Sequence, residues 1–190
     1  MREHLRREIV TGALAPGSDL SEGRVAELYG YPAASIRTAL QALEHEGLVI
    51  VRPRVGTTVH PVTAERTAHA LHALRSLIVT AVRLAHRATD AHGSPEASPL
   101  PGFLAPYAAV IERSGNAYLQ RFAAQLVAHL QQAAAALGTS GLQHPSGASF
   151  ADAAGRADLR AMLHHLDTHF DHAHRVFAAA FAAAARGAGS

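Results

Sequence analysis

The sequence predicts a mainly α protein: an N-terminal winged helix-turn-helix, built from three helices plus a β-hairpin wing, followed by an all-α helical bundle. Three observations carry this expectation. Over residues 2–47, apolar residues recur at three-and-four spacing in short runs that end at glycines. Over 48–59 the pattern switches to short β-branched runs. From about Thr63 the helical spacing returns and runs to the end. The expected division is therefore residues 1–62 and residues 63–190.

Residues 2–11 form the first helix, with Leu5, Ile9 and Val10 inward and Gly12 as its stop. Pro16-Gly17 makes a turn. Ser21 is placed to cap a second helix over 22–29, in which Val25, Ala26 and Leu28 are the apolar positions and Gly30 the end. A third helix spans 33–46, with Ile36, Leu40 and Leu43 on one face and Gly47 as its stop. Leu48–Val51 and Thr57–Val59 flank "RPRVG" and read as a hairpin. In the second part, residues 64–88 carry Ala68, Leu71, Leu74, Ile78, Val82 and Ala85 at helical spacing. A loop is expected over 89–102, a short helix over 103–113, a break at Gly115-Asn116 and a long helix over 117–137. A second loop is expected over 138–149, and a last helix or helix pair over 150–185, with "ARGAGS" fraying.

Composition narrows the function classes. The chain has 190 residues and no cysteine, which excludes disulfides, thiolate metal sites and thiol nucleophiles. No run approaches the length of a membrane span and the start lacks a signal-peptide pattern, so a cytoplasmic protein with no membrane partner is expected. Every basic residue other than histidine is arginine. Residues 1–60 hold seven arginines and seven carboxylates. A nucleic-acid face must therefore come from the placement of charge, not from its excess.

The segments "IVTGALAPGSDLSEGRVAELYG" and "IRTALQALEHEGLVIVRPRVGTTV" resemble the DNA-binding domain of the GntR family of bacterial transcription regulators. The resemblance covers nearly all of the first sixty residues. It places Arg37 in the first turns of the recognition helix, where a guanidinium can fork onto guanine O6 and N7 in the major groove. Arg52 and Arg54 flank the wing within reach of phosphates or the minor groove, and Gly56 permits a tight wing tip. Arg24, Tyr31, Ser35 and Thr38 complete the residues expected at DNA. Where the family usually runs into Ser-Arg-Thr-Pro-Val-Arg, this chain has "PAASIR". Ala33 takes the place of the first arginine, which implies an altered operator or weaker binding.

The helical remainder resembles the FCD-type effector domain of one GntR subfamily. In that subfamily an Asp, a His four residues on and two later His bind a divalent metal and frame a carboxylate ligand. "IERSGNAYL" looks like the subfamily's small-residue–Asn turn, and Asp158 with His169 has the spacing of its last helix. Counting from these anchors, the first two ligand positions fall on Phe103 and Tyr107 and the middle His near Gly147. His169 alone remains. The segment between Arg75 and Phe103 is too short for a helix that the subfamily usually has. The resemblance thus implies a shortened effector domain with its metal site dismantled.

The chain has 14 histidines, and His164, His165, His169, His172 and His174 cluster on the last helix. His165 and His169 have i, i+4 spacing and can chelate zinc. The other reading is a polar shoulder beside a core histidine, so no cofactor is expected and a divalent metal such as zinc is disfavoured. Phe103, Tyr107, Tyr118, Phe122, Phe150 and Phe170 line either an apolar effector pocket or an ordinary core. The candidate effector residues are Phe103, Tyr107, Asn116, His165 and His169.

The reading that unites these features is a sequence-specific DNA-binding transcription regulator controlled by a small-molecule effector. Its partners are a double-stranded DNA operator, the effector and a second copy of the chain, because a small reader with few base contacts gains specificity by engaging two half-sites. The alternative is a helical dimerisation or scaffold protein whose winged helix no longer reads DNA specifically. No enzyme is expected: there is no phosphate loop, nucleophile elbow or HExxH spacing.

Overall fold

The computed structural model describes residues 1–87, 102–139, 142 and 144–187, with the side chains of 102 and 103 left out. The expected loop over 89–102 lies outside the described residues, except for the backbone of Gly102. The chain divides into two compact units, Met1–Thr63 with Ala128–Gly138, and Ala64–Val127 with Thr139–Ser190.

The first unit contains helices α1 (Arg2–Thr11), α2 (Glu22–Tyr29) and α3 (Ala33–His45), and strands β1 (Val49–Arg52) and β2 (Gly56–Val59). Leu5, Ile9, Val25, Ile36, Leu40 and Leu43 are all inward and fully or nearly buried. Val10 is only half-buried, and Leu28 faces solvent despite its apolar side chain. Ser21 stands at the start of α2 but does not cap it. Its hydroxyl donates to Asp19 Oδ2 at 3.0 Å instead. After α3, the amides of Gly47 and Leu48 return to the carbonyls of Glu44 and Leu43, and the chain reverses into the hairpin.

The strands pair antiparallel, Val49 with Val59 and Arg52 with Gly56. Segment 17–20 lies along β2: the Leu20 amide donates to Thr57 O at 2.7 Å and Val59 N to Ser18 O at 2.9 Å. This ties the Pro16-Gly17 turn to the wing.

The end of α6 (Ala117–Leu137) belongs to this unit, a departure from the division at residue 62. Ala128 joins the core cluster of Leu5, Ile9 and Leu43, and Gln132 Nε2 donates to His60 O at 3.0 Å. The approach to α1 is close. A Cβ at Gly12 would stand 3.3 Å from Ala135 Cβ, and the backbone there has φ +82°. Both facts call for glycine at that turn.

The second unit contains α4 (Ala64–Arg87), a 3-10 turn (Gly102–Tyr107), α5 (Ala108–Arg113), the first part of α6, α7 (Pro145–Gly155) and α8 (Leu159–Gly187). The helix expected over 103–113 is thus a 3-10 turn followed by a shorter α-helix; Pro106 has no amide proton for a continuous α ladder. The loop expected over 138–149 is also cut short. Pro145 occupies the first turn of α7, and the His144 side chain accepts from the Ser146 amide. Helices α4 and α8 are joined by Arg75, whose Nε and Nη2 lie 3.0 and 2.6 Å from Asp167 Oδ1. Ala70, Leu74, Ile78 and Val82 of α4 and Met162, Leu166, Phe170, Ala173 and Phe177 of α8 are buried. No described helix is long and apolar enough to cross a membrane.

Candidate functional site

Two places hold the residues singled out from the sequence. The first is the outward face of α3. Ile36, Leu40 and Leu43 anchor the helix inward, so Ser35, Arg37, Thr38 and Gln41 face solvent. At about 100° per residue, Arg37 and Glu44 share one flank of the helix, while Ser35 and Ala42 share the other. Glu44 Oε1 accepts from Val51 N at 3.3 Å, which puts the wing on the Arg37 flank.

Arg37 is not loose on that face. Its Nε and Nη2 donate to Glu22 Oε1 and Oε2 at 2.8 and 2.9 Å. The hydrogen bonds from Arg37 and its positive charge hold the Glu22 carboxyl below the usual carboxylate range. The fork that fits guanine is therefore occupied by a carboxylate of similar shape when DNA is absent. Sequence reasoning missed Glu22, and nothing local signals a pair 15 residues apart. Arg24 reaches Glu27 at 3.2 Å, and the Thr38 hydroxyl donates to Ala34 O at 3.1 Å. Tyr31 is exposed at the turn before the helix.

The wing tip is Pro53-Arg54-Val55, closed by Val55 N donating to Arg52 O at 3.1 Å. Arg54 has φ +65°, a left-handed conformation that glycine or asparagine adopts with less strain. Arg52, Arg54 and Val55 are all exposed, and Gly56 follows with φ +125°.

The second place is the interior of the helical unit. Tyr107 is 0% exposed and His169 is 1% exposed. Their ring centroids are 5.4 Å apart, and Tyr107 meets Phe150 edge-on at 4.7 Å. A Cβ at Gly147 would stand 3.0 Å from Pro106 Cγ and 3.3 Å from His169 Nδ1. Tyr107, Gly147 and His169, three of the four positions given by the FCD-like pattern, therefore converge in space, and the side chain of the fourth, Phe103, lies outside the described residues. They converge as packing. The Tyr107 hydroxyl finds no hydrogen-bond partner among the described residues, and burial pushes its pKa upward. Burial, followed by the neighbouring charges of His144 and His172, lowers the His169 pKa to about 4.

Asn116 caps α6: its Oδ1 accepts from the Tyr118 and Leu119 amides at 3.0 and 3.2 Å, which commits its acceptor to the helix start. His165 is half-buried with its ring 5.5 Å from His164. The Phe103 side chain lies outside the described residues. Tyr118 and Phe122 do not line an interior pocket; they are 69% and 44% exposed, with the Arg121 guanidinium 5.7 and 5.2 Å from their rings. Among the described residues, no group of three or more histidines and carboxylates is placed to hold a metal ion.

A cavity of about 320 Å³ opens between α4 and α8, lined by Leu71, His72, Arg75, Phe170, Asp171 and His174. Leu71 and Phe170 give it an apolar floor, and the other four give it a charged or titratable rim. Phe170 also packs on Tyr107, with ring centroids 5.8 Å apart.

Residues 1–59 match the profile of the bacterial regulatory proteins of the gntR family. The N-terminal domain belongs to the gntR family. Over 66 residues the chain is 41% identical to an uncharacterized HTH-type transcriptional regulator in an unstable DNA locus of Streptomyces ambofaciens. That stretch is 35% of this chain and spans only 28% of the Streptomyces protein. Among solved structures, E. coli McbR/YncC superposes with a TM-score of 0.70 at 19% identity, covering 93% of this chain and 94% of that one. A putative GntR regulator from Rhodococcus sp. RHA1 gives 0.62 at 18% identity, covering 94% and 95%. At these identities the likeness shows the fold: a gntR-type winged helix followed by helices.

Proposed function

We propose that this protein is a sequence-specific transcription regulator that binds double-stranded DNA as a homodimer and responds to a small molecule. The observation that carries the DNA reading is Arg37. It projects from the exposed face of α3, within a gntR-family domain, as a flat fork already oriented by Glu22. A guanine edge offers two acceptors at the spacing that the Glu22 carboxylate now fills, so binding exchanges one bidentate partner for another. The wing arginines Arg52 and Arg54 supply phosphate or minor-groove contacts beside it.

The small-molecule part of the reading rests on the groove between α4 and α8. Its size suits a small effector, and it combines an apolar floor with a few convergent polar groups. The Tyr107–His169 cluster is filled by its own side chains. A ligand on the groove would press on Phe170, which backs onto that cluster, and so bias the packing of the helical unit.

Selection of random duplexes by the full chain tests the reading. The expected product is an enriched inverted repeat, with a guanine in each half-site that loses its enrichment when Arg37→Ala replaces the wild type. Selection that returns no motif would sink sequence-specific regulation and leave the winged helix as a scaffold.

A further inference from the structure

Alongside α3, on the flank away from Arg37, lies a groove of about 560 Å³ lined by Met1, Arg2, Ala34, Ser35, Thr38 and Ala42. Its floor is made of alanines on the recognition helix, and its far wall is the start of α1. We propose that this groove seats one strand of the DNA backbone, with Arg2 and Ser35 as phosphate contacts. The inference rests on the DNA-binding reading above; it gives Ser35, already expected at DNA, a phosphate to bind, and it adds Arg2, which neither the resemblance nor the sequence pattern assigned.

The charge arrangement favours this occupant. Arg2 is 57% exposed along its side chain and approaches Glu46 at 3.8 Å and Glu3 at 3.9 Å, beyond hydrogen-bond distance. Glu46 is already engaged by Arg6, whose Nε donates to it at 3.0 Å. Arg2 therefore keeps its donors for another partner, in contrast to Arg24 and Arg37, which are hydrogen-bonded to Glu27 and Glu22. Ser35, across the groove, makes no side-chain hydrogen bond among the described residues. A guanidinium and a hydroxyl that line one groove with alanines present donors to an anion and little bulk in its way. The alanines matter for this reason: longer side chains at 34 and 42 would fill the space.

The position on the helix fits as well. A helix lying in the major groove has a phosphate strand on each side. Arg37 and the wing stand on one flank of α3, and Arg2 and Ser35 stand on the other. With Ala33 in place of a second arginine, the domain holds few cations on its reading face. Arg2 adds one that lies outside the helix and carries no base information.

The test is fluorescence anisotropy with the full chain, using the duplex recovered by selection and a scrambled duplex of equal length over a series of salt concentrations. Each phosphate contact contributes about 0.9 to the slope of log affinity against log salt. Arg2→Ala is expected to weaken both duplexes roughly three- to tenfold and to lower the slope by about one. Arg2→Lys should keep the slope, and Ala34→Met, which fills the groove, should weaken binding with Arg2 intact. Circular dichroism melts check that each variant is folded. Salt-dependent wild-type binding with an unchanged slope in Arg2→Ala overturns the proposal and leaves the DNA reading standing. A wild-type chain with no salt-dependent binding to either duplex overturns both.

Discussion

The two units place their polar residues in opposite ways. In the N-terminal domain, the core positions and the exposed Arg37 both remain, and the change from the family pattern is on the surface, at Ala33. In the helical unit, Tyr107, Gly147 and His169 pack together in the interior, where burial lowers the His169 pKa. The difference has a physical cause. A surface charge can be lost at little cost to folding, because water takes its place. An interior must be filled by its own side chains, since an unfilled cavity and unpaired polar groups both destabilise. The exposed face can carry sparse charge, whereas the interior must be filled.

The largest expected effect lies in that interior. His169 is neutral when buried, with a pKa lowered to about 4 against an ordinary value near 6.5. The unfolded chain protonates first as pH falls, so the stability present above pH 6.5 drains away between 6.5 and 4. The loss from this residue is on the order of 3 kcal/mol. Urea melts across that range should show the decline, and His169→Leu should flatten it. An equally steep decline in His169→Leu would place the acid sensitivity in groups other than His169.

Gly147→Leu should come next, at about 1–3 kcal/mol of lost stability, because even a Cβ there stands 3.0 Å from Pro106 Cγ. A variant of wild-type stability would mean that the α7 contact has room to relax, and the picture of a filled site would fail. Tyr107→Phe removes a buried hydroxyl that has no partner among the described residues. It should raise stability by about 1 kcal/mol in chemical denaturation. A drop instead would show that the hydroxyl holds something in solution, and the interior would again be a candidate effector site.

The smallest effect belongs to the wing. Arg54→Gly relieves a left-handed φ of +65° and should raise the melting temperature by a few degrees, from about 0.5–1 kcal/mol. The same change should weaken DNA binding. Loss of stability with unchanged DNA affinity would remove Arg54 from the interface.

The sequence carried the first unit well. Gly12, Pro16-Gly17, Gly30 and Gly47 punctuate short amphipathic helices, and the β-branched runs separate the wing from them. The second unit was harder to read, for chemical reasons. Helix α7, "PSGASFADAAG", has few large apolar residues to set a period. The stretch "AHLQQAAAALG" at the end of α6 has alanines on every face, so nothing in it announces that Ala128–Gly138 packs with the first sixty residues. Asn116 was legible as a turn residue, but its capping role competes with any ligand role only once the amides around it are placed. The Arg37–Glu22 fork and the Arg2 groove arise from helices brought together by the core, and no local spacing encodes them.

Whether Arg37 reads a base decides between a sequence-specific regulator and a scaffold. Anisotropy titrations of the wild type and Arg37→Ala would be run at two salt concentrations against the selected duplex and its scrambled counterpart. Tight, salt-dependent, selective binding by the wild type is expected. Arg37→Ala should lose about 1–3 kcal/mol on the selected duplex and much less on the scrambled one, so that selectivity collapses. Equal losses on both duplexes would make Arg37 a phosphate contact only. Equal, weak binding of both proteins to both duplexes would contradict the account and show a winged helix that has kept its fold and lost its reading.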